Sequence, residues 1–121
     1  MRNDKQNVIV DKSFQFSLSI IEFSEVLETN RKYILGRQIL KSGTSIGANI
    51  CEAQNAESKP DFIHKMKIAA KEADETQYWL LLCRFAKNYP DPDILLDKLN
   101  EIIKLLSKIL STCKHTLNAD G

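Results

Sequence analysis

Residues 58–83 read SKPDFIHKMKIAAKEADETQYWLLLC, and this stretch decides the fold. It opens as a helix should: Ser58 as N-cap, an acid three residues on at Asp61, and Pro60 in the first turn, where a missing N–H leaves no bond unmade. From there Phe62, Met66, Ala69, Ala73, Thr76, Leu80 and Cys83 recur at alternating steps of four and three, three heptads along one face. A further row, Ile68, Glu72, Glu75, Trp79, Leu82 and Ala86, also carries bulky apolar residues, more than one core-facing stripe requires. The spacing predicts a helix over about 59–88 that is apolar on two sides.

The neighbouring segments repeat the pattern. Before it, over about 32–55, Leu35, Ile39, Ser42, Ile46, Asn49 and Ala53 form a heptad row with two polar members, and a period of two is absent, which excludes a strand. Gly43 and Gly47 lie one turn apart in it; each glycine costs a helix up to ~1 kcal/mol against alanine, so the pair marks a place where another backbone comes close. Earlier still, Phe16, Ile20, Phe23 and Leu27 predict a helix over about 11–28 that Thr29, Asn30 and Arg31 break. After residue 88, Tyr89-Pro90-Asp91-Pro92-Asp93 stops one helix and starts the last, about 92–116, with Leu96, Leu99, Ile103, Leu106, Leu110 and Cys113 as its stripe. Short connections between long helices favour antiparallel neighbours, so the fold expected is all-α, a four-helix bundle packed up-down-up-down.

The composition agrees with one such domain. A chain of 121 residues should bury roughly two-thirds of the surface it exposes when unfolded. Hydrophobic residues at 43% and charged ones at 27% are ordinary for a soluble protein, and no apolar run approaches the ~18 residues of a membrane-spanning helix. Residues 1–10 and 118–121 read as flexible ends around a bundle spanning 11–117, and the polar start, with no apolar signal segment behind it, suits a cytoplasmic location. Cys51, Cys83 and Cys113 fall inside apolar helical patterns without metal-ligand spacing and read as buried free thiols. With 17 basic and 16 acidic side chains the formal charge is +1, so any nucleic-acid contact must come from local patches.

No catalytic constellation or cofactor motif emerges. His64 and His115 lack the Glu-x-x-His spacing of di-metal bundles, the glycines match no phosphate loop, and no serine or cysteine has a histidine at helical spacing. The oddest feature is polar. Ser42, Ser45, Asn49 and Glu52 run along one side of the second helix, partly within its apolar row, and Lys71, Glu72 and Glu75 stand at a similar height on the third. Such a set is either a satisfied network that fixes helix register and oligomer choice, or a small binding or acid/base pocket with shifted pKa values. The network is the preferred reading. Trp79, with Ile68 and Leu82 in its row, is a candidate oligomer contact, with simple core and base stacking as alternatives. Arg31, Lys32, Arg37 and Lys41 begin the second helix, and Lys65 and Lys67 lie on the third; Arg31, Arg37, Lys41, Lys65 and Lys67 are candidate phosphate contacts, against the plainer reading of a solvated face.

The stretch Gly43-Thr44-Ser45-Ile46-Gly47-Ala48-Asn49-Ile50-Cys51-Glu52-Ala53, followed by Phe62 and Ile68-Ala69-Ala70-Lys71-Glu72-Ala73-Asp74-Glu75, resembles the four-helix-bundle proteins encoded in intervening sequences of bacterial 23S rRNA genes, the S23 ribosomal protein family. The resemblance spans roughly residues 12–115; Ala53 stands where many members carry glycine, and Lys71-Glu72 where many carry a small Gly-Ser pair. It implies a ring-shaped homopentamer, and a similar fold serves as the accessory variability determinant of diversity-generating retroelements, which works with reverse transcriptase and nucleic acid. A pentamer would repeat each basic patch five times, and such multivalency can raise avidity by ~10² or more. The function implied is a non-enzymatic, RNA-linked adaptor; a protein-interaction scaffold holding a polymerase or another polypeptide, and a small-molecule pocket at the polar row, are the alternatives.

Overall fold

The computed structural model describes residues 4–120, with side chains over 8–114. Four helices follow one another: α1 (Asp4–Thr29), α2 (Tyr33–Ala53), α3 (Lys59–Phe85) and α4 (Asp93–Asp120). Each packs against the next, and α4 returns to α1, while among the described residues the backbones of the diagonal pairs stay apart, which is the contact pattern of an up-down bundle. The α1–α2 and α2–α3 seams are the most extensive and the α4–α1 seam the thinnest.

The start of α3 is built as its sequence requires. Ser58 is extended, and its hydroxyl accepts from the Asp61 N–H at 3.2 Å. Along α3, Met66, Ala69, Ala73, Thr76, Leu80 and Cys83 are all buried, and the core they enter includes Phe16, Ile20 and Leu27 of α1, Ile39, Ile46 and Ile50 of α2, and Leu99, Ile102 and Leu106 of α4.

Three boundaries differ from expectation. α1 begins at Asp4, inside the stretch read as a flexible end, because Ile9 and Ser13 continue the heptad upstream of Phe16 and Ile9 is fully buried. Residues 1–3 lie outside the described ones. α4 runs to Asp120, through most of the expected C-terminal tail. α3 stops at Phe85 rather than 88: Ala86 is extended at φ −77° and ψ 146°, and Asn88 takes a left-handed φ of 66° before the proline-rich link, a conformation asparagine tolerates better than most residues.

The α1–α2 link is tight. Lys32 N–H donates to the Leu27 carbonyl at 2.8 Å and Arg31 N–H to that of Glu28 at 2.9 Å, which closes a Schellman motif with Arg31 left-handed at φ 63°. Glycine usually fills that place, so an arginine there carries a backbone cost of roughly 1 kcal/mol. Lys32 reaches over the Tyr89 ring at 4.7 Å, tying this link to the α3–α4 link at the same end of the bundle.

Candidate interaction surfaces

The two flanks of α2 carry the paired glycines and the polar row. On the flank toward α1, a Cβ built at Gly43 would lie 2.8 Å from Ile20 Cγ1, and one at Gly47 would lie 3.1 Å from Ser17 Oγ and 3.2 Å from the Ser13 carbonyl oxygen. Both glycines mark a close helix approach, as their spacing suggested. Serines 13, 17 and 24 keep the facing side of α1 small, and each hydroxyl donates to a carbonyl of its own helix.

The flank toward α3 carries the polar row, and the structure divides it. Ser42 is fully buried, and its hydroxyl shares a 2.9 Å hydrogen bond with that of Thr76, which also reaches the Glu72 carbonyl at 2.7 Å. Ser45 and Asn49 bond back to their own helix, Ser45 Oγ to the Lys41 carbonyl at 2.7 Å and Asn49 Nδ2 to the Ser45 carbonyl at 2.9 Å. Glu52 lies at the surface rather than in the interior, 3.7 Å from Lys65. Of the four, Ser42 alone is buried; Ser45 and Asn49 are half-buried and Glu52 is exposed, each step of three residues turning the helix about 60° short of a full turn and so away from the line of Ser42.

Glu72 is half-buried. Burial raises its pKa above the usual carboxylate value, neighbouring Glu75 adds to the rise, and Lys41 and Lys71 oppose it. Glu75 is exposed and accepts a 3.1 Å hydrogen bond from Trp79 Nε1. Trp79 also packs edge-on to Tyr78, with centroids 5.3 Å apart. Trp79 and Ile68 are half-buried and Leu82 is exposed, so the second apolar row of α3 straddles the bundle surface.

The thiols part from expectation in one respect. Cys83 is buried and Cys113 half-buried, but Cys51 is exposed, on the outer side of α2 near Gly47. Burial pushes the Cys83 thiol up to about 11.

The five cationic candidates do not form one patch. Arg31, Arg37 and Lys41 lie toward the start of α2, whereas Lys65 faces Glu52 four turns further along α2, roughly 22 Å away, because α2 and α3 run antiparallel. Lys67 is two residues on, rotated to the other side of α3. Arg31, Arg37 and Lys67 are exposed and make no ion pair among the described residues. Two cations passed over in the sequence, Lys104 and Lys108, are exposed one turn apart on α4; their only signal was the i, i+4 spacing, which a solvated face shares. The side chain of His115 lies outside the described residues. Among the described residues no group of His, Cys, Asp and Glu could hold a metal ion, and no helix is long and apolar enough to cross a membrane.

A crystal structure of a protein of unknown function from the S23 ribosomal protein family of Bacteroides thetaiotaomicron VPI-5482 is similar to this one, with a TM-score of 0.84 and 43% identity over 88% of this chain and 98% of that one. No curated protein matches. The sequence pattern of the family described as 23S rRNA-intervening sequence protein matches residues 5–110. With a match over nearly its whole length and a solved relative of the same fold, the chain belongs to the 23S rRNA-intervening sequence protein family.

Proposed function

We propose that the protein is a non-enzymatic, oligomeric adaptor that associates with nucleic acid, RNA above all, and that its working form is a closed ring of identical chains, a homopentamer. The observation that carries the nucleic-acid reading is that three of the candidate cations, Arg31, Arg37 and Lys67, are exposed and in no ion pair among the described residues, spaced along the bundle rather than gathered in one cleft. Spread charges suit a phosphate backbone, which offers acceptors at regular intervals, better than they suit a compact anion. Repetition around a ring would make weak contacts sufficient. Lys65 and Lys41 contribute less, since Glu52 and Glu72 stand close to them.

A fluorescent RNA hairpin titrated by anisotropy tests this. Its affinity should fall steeply between about 50 and 200 mM salt, and Arg37→Glu with Lys41→Glu should weaken it by about tenfold or more. Binding that is absent, or indifferent to salt, overturns the reading.

A second reading is a scaffold that holds a polypeptide and touches nucleic acid only indirectly. It is favoured by one observation, the fully apolar side chains left in water at one end of the bundle: Ile34, Phe85 and Ile94 are each more than 70% exposed.

A further inference from the structure

We infer that the hollow between α3 and α4 takes the base of an unpaired guanine nucleotide, with the phosphates of its strand lying on Lys104, Lys108 and Lys67 of the same flank. The inference rests on the nucleic-acid reading above and names what is read.

Polar side chains close the outer side of the α3–α4 seam. Gln77, Leu81 and Arg84 follow one another at steps of four and three on α3, and Asp93, Asp97 and Asn100 at the same steps on α4. Two contacts set the register: Gln77 Nε2 donates to Asn100 Oδ1 at 3.2 Å, and Arg84 Nε lies 3.3 Å from Asp93 Oδ1. These residues line a hollow of about 230 Å³, whose apolar part is the nearly buried Leu96 and Leu81, itself 37% exposed. Clefts for drug-sized ligands run to about 300–1,000 Å³, so this one suits a single planar heterocycle that Leu81 covers on one face.

What the hollow leaves unpaired decides which heterocycle. Asp97 is exposed and makes no hydrogen bond or ion pair among the described residues, so both carboxylate oxygens are open to donors. Asn100 accepts from Gln77 through its oxygen, which frees its own amide N–H groups to donate. A pair of acceptors beside a donor is the complement of one base edge. Guanine presents two neighbouring donors, N1–H and N2–H, next to the O6 acceptor: the donors suit the Asp97 carboxylate, and O6 suits the Asn100 amide. Adenine and cytosine put a bare ring nitrogen where the carboxylate needs a hydrogen, and uracil offers a single N–H. An unstacked base of a single-stranded segment shows this edge, whereas a duplex hides it.

The strand has cations to meet. Lys104 and Lys108 lie one and two turns beyond Asn100, roughly 6 and 12 Å, and Lys67 lies ten residues before Gln77, roughly 15 Å. Because α3 and α4 are antiparallel, all three follow the hollow in the same direction. Each is exposed and in no ion pair among the described residues. Of the acids nearby, Glu101 is held by Lys12 at 2.9 Å, and Asp74 stands on the α3 row.

Anisotropy of fluorescent RNA hairpins tests this, with uridine loops that carry one guanosine, one inosine or one adenosine at the same place. Inosine keeps N1–H and O6 but lacks the N2 amino group. The guanosine loop should bind about tenfold more tightly than either other loop. Asp97→Asn, at a side chain that contacts no other, should remove that preference and leave the adenosine loop bound as before. Lys104→Glu with Lys108→Glu should weaken all three loops alike. Calorimetry with guanosine monophosphate separates a strand from a free nucleotide: it should bind, and more weakly than the guanosine loop. Equal affinities for the three loops, or a preference that survives Asp97→Asn, overturns this site and leaves the nucleic-acid reading standing. Guanosine monophosphate that binds as tightly as the loop overturns the strand as the source of the base. Absence of binding by every loop overturns the nucleic-acid reading, and absence of binding by guanosine monophosphate as well overturns this site with it.

Discussion

The two flanks of α2 solve the same packing problem by opposite means. Toward α1 the helix gives up side chains, and specificity resides in space: Gly43 leaves room for Ile20, and Gly47 for the backbone at Ser13. Toward α3 it keeps them, and the seam is apolar except for one buried hydrogen bond among the described residues, Ser42 to Thr76. A steric flank tolerates no added atom. The other tolerates any change that leaves no group unpaired.

That contrast sets an order of effects. Gly43→Ala should be the most damaging: the added methyl gains helix propensity of up to ~1 kcal/mol, but it lands 2.8 to 3.0 Å from three Ile20 carbons, and overpacking of this kind costs about 1–3 kcal/mol. Urea denaturation should show a net loss, and a second change, Ile20→Ala, should recover less than it costs because it opens a cavity of its own. An unchanged or raised midpoint for Gly43→Ala would break the steric account. On the other flank, Thr76→Val should cost about 1 kcal/mol by leaving the Ser42 hydroxyl without its partner, whereas Thr76→Val with Ser42→Ala should be nearly neutral. A double-mutant cycle reads this directly, and additive losses would mean that the pair contributes nothing.

The smallest effect should come from Glu72, at the edge of the same flank. Its pKa is raised in the folded chain, so between the unfolded and folded values the folded state binds more protons, and stability falls as pH rises through that window. Glu72→Gln should therefore give a small gain in Tm at neutral pH that disappears below the ordinary carboxylate pKa. A loss at neutral pH would show that Lys41 and Lys71 outweigh burial.

Much of this bundle was legible in the sequence, and the illegible parts share a cause. The α3 row from Met66 to Cys83 could be read because each member is placed by its own helix alone, and the close approach at Gly43 and Gly47 because glycine mid-helix has few other uses. The start of α1 was missed because Val8-Ile9-Val10 is a short apolar run with no helical spacing of its own, and only the completed core shows that Ile9 is the member fully buried in it. Pairings between helices were beyond reach, since they depend on register: Thr76 was visible as a core position but not as the partner of Ser42, and the pairing of Lys65 with Glu52, far along α2 from Arg37, shows only in the antiparallel packing. Periodicity likewise flagged a second apolar row on α3, yet could not tell half-buried Trp79 from the exposed ridge of Tyr78, Leu82 and Phe85 beside it.

The burial of Cys83 gives the molecule a built-in clock. Only a thiolate attacks an alkylating reagent, and with its pKa at about 11 and its sulfur sealed inside the bundle, Cys83 stays silent at neutral pH for as long as the helices hold together. Cys51, in the open on α2, has no such protection. Labelling at the first thiol therefore counts unfolding events, while labelling at the second counts only molecules.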